Sequence, residues 1–204
     1  MKPTPTPFRV RLPALWLAAG ALCFSFVSSA TAQAPADVNL VANGNLETPN
    51  ATGDWAAKWS KPKAGVSSWR EEGGDHFIRL EAAEPGKMTM LHHLVPLQGA
   101  AAVEVSIRAR VSDLKRGPQN WFDARVIINF CDSAGKEIKS TAKPIAFGKN
   151  TEGWVERKVQ AVVPLGATFI AIMPSLFNVE TGVLDISDVS VKAIDPAPLA
   201  PPAN

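Results

Sequence analysis

The chain has 204 residues, 46% of them hydrophobic and 20% charged, with a formal net charge of +2, 17 prolines, 14 glycines and two cysteines. That length supports one domain with a full core. A nearly balanced charge gives no electrostatic reason to expect nucleic acid or an anionic membrane as a partner.

The first element is a leader. Lys2, Arg9 and Arg11 form a basic start, Leu12 to Val27 is almost wholly apolar, and Ala30-Thr31-Ala32 places small residues where a signal peptidase reads. Residues 1–32 are therefore predicted to be a secretion signal, and the protein to be secreted or periplasmic, with no stable membrane insertion after cleavage. A single membrane span fits less well, because the apolar run contains Pro13 and falls short of the ~20 residues a span needs. Cys23 follows Leu22, which is too large for the usual lipobox. Cleavage leaves a weakly acidic chain whose single cysteine, Cys131, has no partner for an internal disulfide. In the apolar run "RVIINFC" it reads as a buried, inert thiol.

Beyond the leader, Asp37 to Val41 has strand character and runs into the turn residues Asn43, Gly44 and Asn45, followed by the carboxylate of Glu47. Strands are predicted at Val66 to Glu71, His76 to Ala82 and Met88 to Leu97, with Gly73-Gly74, Pro85-Gly86 and Gly99 breaking the chain between them. The clearest strand is "AVEVSIRARV". Val103, Val105, Ile107, Ala109 and Val111 alternate there with Glu104, Ser106, Arg108 and Arg110, so one face packs and the other is polar. "ARVIINFC" alternates likewise, with Val126, Ile128 and Phe130 opposite Arg125, Ile127 and Asn129. The turn Asp132 to Gly135 then makes Phe122 to Ala146 a predicted hairpin. Trp154 to Val163, Thr168 to Leu176 and Val183 to Ile194 complete about ten strands. The fold class this predicts is all-β: a two-sheet antiparallel β-sandwich over residues 33–194. Residues 195–204, rich in proline and alanine, read as a disordered tail.

Enzyme signatures are missing. The chain has no G-x-S-x-G elbow, no C-x-x-C pair and no H-E-x-x-H, and "FGKNT" lacks the upstream glycine of a phosphate loop. His92 and His93 are adjacent on a strand and point to opposite faces, so they cannot chelate one ion. Glu71, Glu72, Glu81 and Glu84 contain the residue type of a glycosidase acid/base pair, but scattered turn acids are ordinarily solvated.

Tryptophan is plentiful and tyrosine absent. Trp55, Trp59, Trp69, Trp121 and Trp154 follow the leader, several beside turns or charges. An indole offers a flat apolar face to the C–H side of a sugar ring, while neighbouring guanidinium, amide and carboxylate groups bind its hydroxyls. Trp121, after "KRGPQN" and just before the strand of Arg125 and Asn129, is the first candidate for stacking; Trp69 is the second, and Trp154 reads as packing. Lys58, Lys61 and Lys63 around Trp59 suggest a weaker option of an anionic polysaccharide.

"NLVANGNLE", "GDW", "EGWVERKVQAVVPLGATFIAIMP" and "TGVLDISDVSV" together resemble carbohydrate-binding modules of the family four and nine type, over about residues 37–194. The resemblance implies a calcium-stabilised, galactose-binding-like jelly roll, usually attached to a glycoside hydrolase and itself non-catalytic, with a glycan or polysaccharide lying across a concave sheet face. Carried onto this chain, it points to one polar face shared by the two central strands, with Arg108, Arg125 and Asn129 on it and Trp121 and Trp69 stacking the sugar. It also brings the first and last strands together, so that Glu47 and Asp188, with Asn45, would hold a structural calcium ion. The family's paired acids before valine are here Ser187-Asp188. Two other readings stand beside glycan binding: a structural or adhesive extracellular domain, and a hydrolase of glycosyl bonds.

Overall fold

The computed structural model describes residues 37–62 and 66–199. The predicted leader lies outside them, as does Lys63. Among the described residues eleven strands form: β1 (Ser67–Glu72), β2 (Asp75–Glu81), β3 (Thr89–Met90), β4 (His93–Pro96), β5 (Ala102–Lys115), β6 (Ala124–Cys131), β7 (Glu137–Ile138), β8 (Ile145–Phe147), β9 (Val155–Val162), β10 (Phe169–Leu176) and β11 (Thr181–Ala193). One sheet has the order β1-β2-β11-β5-β9. The other is built on the β10-β6 pair, with β3 and β4 on the far side of β10 and β7 and β8 on the far side of β6. All pairings are antiparallel.

The period-two pattern explains the sandwich. Val103, Val105, Ile107, Ala109 and Val111 of β5 are buried against Ala124, Val126, Ile128 and Phe130 of β6 and Ile170 and Ile172 of β10 in one core. Each valine, isoleucine and phenylalanine among them contributes about 1.5–3 kcal/mol on leaving water. The predicted hairpin forms at Asp132 to Gly135, where the Gly135 amide donates to the Asp132 carbonyl at 3.0 Å, although β6 finds β7 and β8 as two short partners instead of one long one. The predicted Met88 to Leu97 strand is split into β3 and β4. The tail from Asp195 carries one 3-10 turn, Ala197–Leu199.

Asp37 to Val41 does not make a full strand. It lies beside β11 through the Asn39–Lys192 bridge, because β11 bulges between Ser187 and Ser190, with Asp188 at φ 45°, and leaves β2 there. Asn39 closes the gap: its amide donates to the Val189 carbonyl at 3.0 Å and its Oδ1 accepts from the Val41 and Val191 amides, each at 3.0 Å. Gly44 sits so close that a Cβ there would stand 2.2 Å from the Val189 carbonyl oxygen. Only glycine permits that approach.

Tryptophans hold the loop that follows. Trp55 donates its indole N–H to the Trp59 carbonyl at 3.1 Å, Trp59 to the Asn43 carbonyl at 3.0 Å, and Trp69 to the Leu46 carbonyl at 3.1 Å. Trp59 also stacks on His93 at 4.2 Å. His93 is buried while His92 is exposed, so the two imidazoles do point to opposite faces.

Burial, helped by the charge of His92, pushes the His93 pKa down to about 4. The folded state keeps this imidazole neutral while the unfolded chain binds a proton near pH 6.5. The resulting stability is present above about pH 6.5 and is lost as pH falls towards 4, by up to about 3 kcal/mol. Urea unfolding across this range will show the decline, and His93→Phe, which keeps an aromatic ring against Trp59, will flatten it.

Candidate functional site

The outer face of the five-stranded sheet carries a dense polar cluster. Arg79, Asp185 and Arg110 are cross-strand neighbours on β2, β11 and β5. The Asp185 carboxylate is only 1% exposed. It accepts from Arg79 Nε at 2.6 Å and Nη2 at 2.8 Å, and from Arg110 Nε at 3.0 Å and Nη2 at 2.8 Å. All four are charge-assisted; Arg79 forks across both oxygens, the geometry in which a guanidinium holds a carboxylate best, while both Arg110 nitrogens share Oδ2. Asp185 raises the Arg79 pKa further above its ordinary value. Arg110 extends to Glu72, 2.8 Å from its Nη1.

Beside this row is a hollow of about 270 Å³, walled by Trp154, Phe77, Arg108, Arg110, Glu72 and Asp75, with His76 and Ser187 also lining it. The guanidinium carbons of Arg108 and Arg110 stand 5.0 and 4.7 Å from the Trp154 ring centre. Phe77 meets Trp154 edge-on at 5.6 Å. Arg108 Nη1 lies 3.6 Å from Asp75 and 3.4 Å from Asp188, both well exposed. Farther along the face, Gln160 donates to Glu104 at 2.8 Å, which with Lys158 holds the Glu104 carboxyl below its usual range. The hollow thus combines an aromatic wall, forked donors and carboxylate acceptors, the three elements that recognise a polyhydroxylated ring.

Of the residues predicted to bind sugar, only Arg108 belongs here. Arg125 and Asn129 do alternate outward on β6, but β5 and β6 lie in different sheets. Their polar faces therefore look out from opposite sides of the sandwich, and the expectation of one shared face is corrected. Asn129 lies in register with Ala171 among the apolar Cys131, Met173 and Ile127. Cys131 is buried, and burial raises its thiol pKa, as an inert thiol requires.

Trp69 is also displaced from its expected role. It pairs with Ile78, packs on the core, and has its ring stacked on His76 at 4.2 Å. Trp121 is half exposed in the β5–β6 loop, edge-on to Phe122 at 6.1 Å. Phe122 leads to Phe177 at 5.8 Å, over which Arg125 lies at 5.4 Å while bonding Asp123 at 2.6 Å. Trp121 and Arg125 thus form a second cluster, separate from Arg108. Trp154, read from sequence as packing, is the tryptophan of the hollow. Its signal was Arg108 and Arg110 alternating on the neighbouring strand, one register step away.

The carboxylates expected to bind calcium each face another protein group. Both Glu47 oxygens face His76, accepting its backbone N–H at 2.7 Å and standing 2.7 Å from its Nδ1. Asp188 faces Arg108. Asn45 Oδ1 is 3.5 Å from the Glu47 amide. Among the described residues no group of three His, Cys, Asp or Glu side chains is placed to hold a metal, and with Glu47 bonded to His76 and Asp188 facing Arg108 these carboxylates do not fit the shell of an ion that wants six to eight oxygens.

No protein-family model and no curated protein matches the sequence. Solved structures match the fold. The enzymatically active domain of tailspike protein 4 of bacteriophage CBA120 aligns with 77% of this chain at a TM-score of 0.53 and 16% identity. The chain spans about a fifth of that protein, 22%. A family 61 carbohydrate-binding module in complex with β-1,4-galactotriose aligns with 77% of this chain and 99% of its own, at a TM-score of 0.50 and 14% identity. The chain has the fold of carbohydrate-binding modules. A family 4 module also aligns, over 76% of this chain and 99% of its own, at a TM-score of 0.50 and 15% identity. The likeness is thus to the module jelly roll and not to family four or nine in particular. Among the described residues, no helix is long and apolar enough to cross a membrane.

The Asp185 network sets the hollow's geometry. Asp185→Asn strands two half-buried guanidinium groups, and chemical denaturation should register a loss of about 3–5 kcal/mol.

Proposed function

We propose that this chain is a non-catalytic glycan-binding module of an extracytoplasmic protein, and that its sugar is bound in the hollow on the outer face of the five-stranded sheet. The observation that carries this reading is Trp154 against Arg108 and Arg110 in a hollow that Glu72 and Asp75 also line. A sugar ring would lay its C–H face on indole and Phe77 while its hydroxyls donate to the carboxylates and accept from guanidinium. Each acid here faces an arginine. Both are well exposed and can accept from sugar hydroxyls, which supports binding. The module fold agrees with this role, although a fold by itself assigns no ligand.

The leader supports export. Cell fractionation with N-terminal sequencing should find the chain outside the cytoplasm and beginning near Gln33; full-length protein retained in the cytoplasm would contradict this.

Binding is tested with the mature chain on an oligosaccharide array, followed by calorimetry on the best ligand. Trp154→Ala should fold normally and lose about 1–3 kcal/mol of affinity, roughly 5- to 150-fold. Trp121→Ala should bind as the parent does. The reverse result would move the sugar to the β5–β6 loop cluster, and no binding by the parent to any glycan would leave the adhesive reading in its place.

A further inference from the structure

We infer that Glu47 and Asp188, the carboxylates a calcium ion would claim, instead position the two sides of the hollow directly, and that the domain joins its ends without a metal. The sugar-site half of this inference rests on the function proposed above.

The ends are already tied by backbone and amide. The Leu40 amide donates to the Val191 carbonyl at 2.8 Å, and the Val189 amide to the Gly44 carbonyl at 2.8 Å. With the three bonds of the Asn39 side chain, these satisfy the polar groups that the β11 bulge exposes. Backbone oxygens at this junction are therefore engaged. The Val189 carbonyl accepts from Asn39, and the Gly44 carbonyl accepts from Val189. Ser187, standing where a second acid would be, bonds the His76 carbonyl at 3.3 Å.

Each freed carboxylate then holds a residue of the hollow. Glu47 grips His76 from both its backbone and its ring, and Trp69 covers that ring with the planes 15° apart. His76 is the second residue of β2, and the next is the Phe77 of the aromatic wall. The two bonds from His76 hold the Glu47 carboxyl below its ordinary pKa. On the other side Asp188, projected by the bulge, faces Arg108 together with Asp75. The first loop and the last strand thereby meet at the candidate sugar site through protein groups alone.

The test uses the mature chain and calcium itself. Melting is measured by calorimetry in EDTA and in excess calcium chloride, for the parent and for Glu47→Ala, and the His76 ring is followed by ¹⁵N NMR in both buffers. The parent should melt at the same temperature in each. Glu47→Ala should melt lower by roughly 3–6 °C, equally in each buffer. The His76 ring should show the Nδ1 hydrogen bond to Glu47, which calcium does not perturb and Glu47→Ala abolishes. A rise in the parent's melting temperature with calcium, lost in Glu47→Ala, would overturn the inference. So would a Glu47→Ala variant with unaltered melting and an unaltered His76 ring. No sugar enters these measurements, so their failure and a failure of glycan binding can be told apart.

Discussion

The arrangement of the outer face depends on one buried carboxylate. Asp185 has lost nearly all contact with water, and an unpaired charge there would cost several kcal/mol. Two guanidinium groups from the strands on either side of β11 neutralise it. That requirement fixes Arg79 and Arg110 in direction as well as position. Arg110, so held, reaches Glu72 and stands against Trp154 and Phe77. Aromatic wall, donors and acceptors are therefore set by strand register and not by flexible loops, which preorganises them for a ligand.

Tryptophan divides into two uses by what its N–H does. Trp55, Trp59 and Trp69 each place the indole N–H on a loop carbonyl between Asn43 and Trp59. Together they support a long irregular segment that has few ladder bonds of its own. Such rings are spent on packing, with His93 or His76 covering a face. Trp121 is half exposed, and Trp154 walls the hollow. A surplus of tryptophan thus reflects the cost of ordering an irregular loop as much as any affinity for sugar.

The loop "NGNLE" shows the same economy. Asn43, at φ 53°, bonds Thr48 and Ala57 through its side chain. Gly44 is required by the approach of Val189. The turn residues serve close packing on β11, and Glu47 reaches beyond the loop to His76.

Strand content, alternation on β5 and β6, the Asp132 to Gly135 turn, the buried Cys131 and the opposed histidines were all legible in the sequence, because each follows from a period of two residues or from local turn chemistry. Which strands became neighbours was not. Alternation says that Arg108 and Arg125 both point away from a core, but it is identical for strands in the same sheet and in opposite sheets. Only the tertiary pairing of β5 with β11 and β9, and of β6 with β10, put those arginines on opposite sides and brought Trp154 beside Arg110. The partner of Glu47, too, is 29 residues away on another strand, and a carboxylate in a sequence does not declare whether a cation, an imidazole or water will face it.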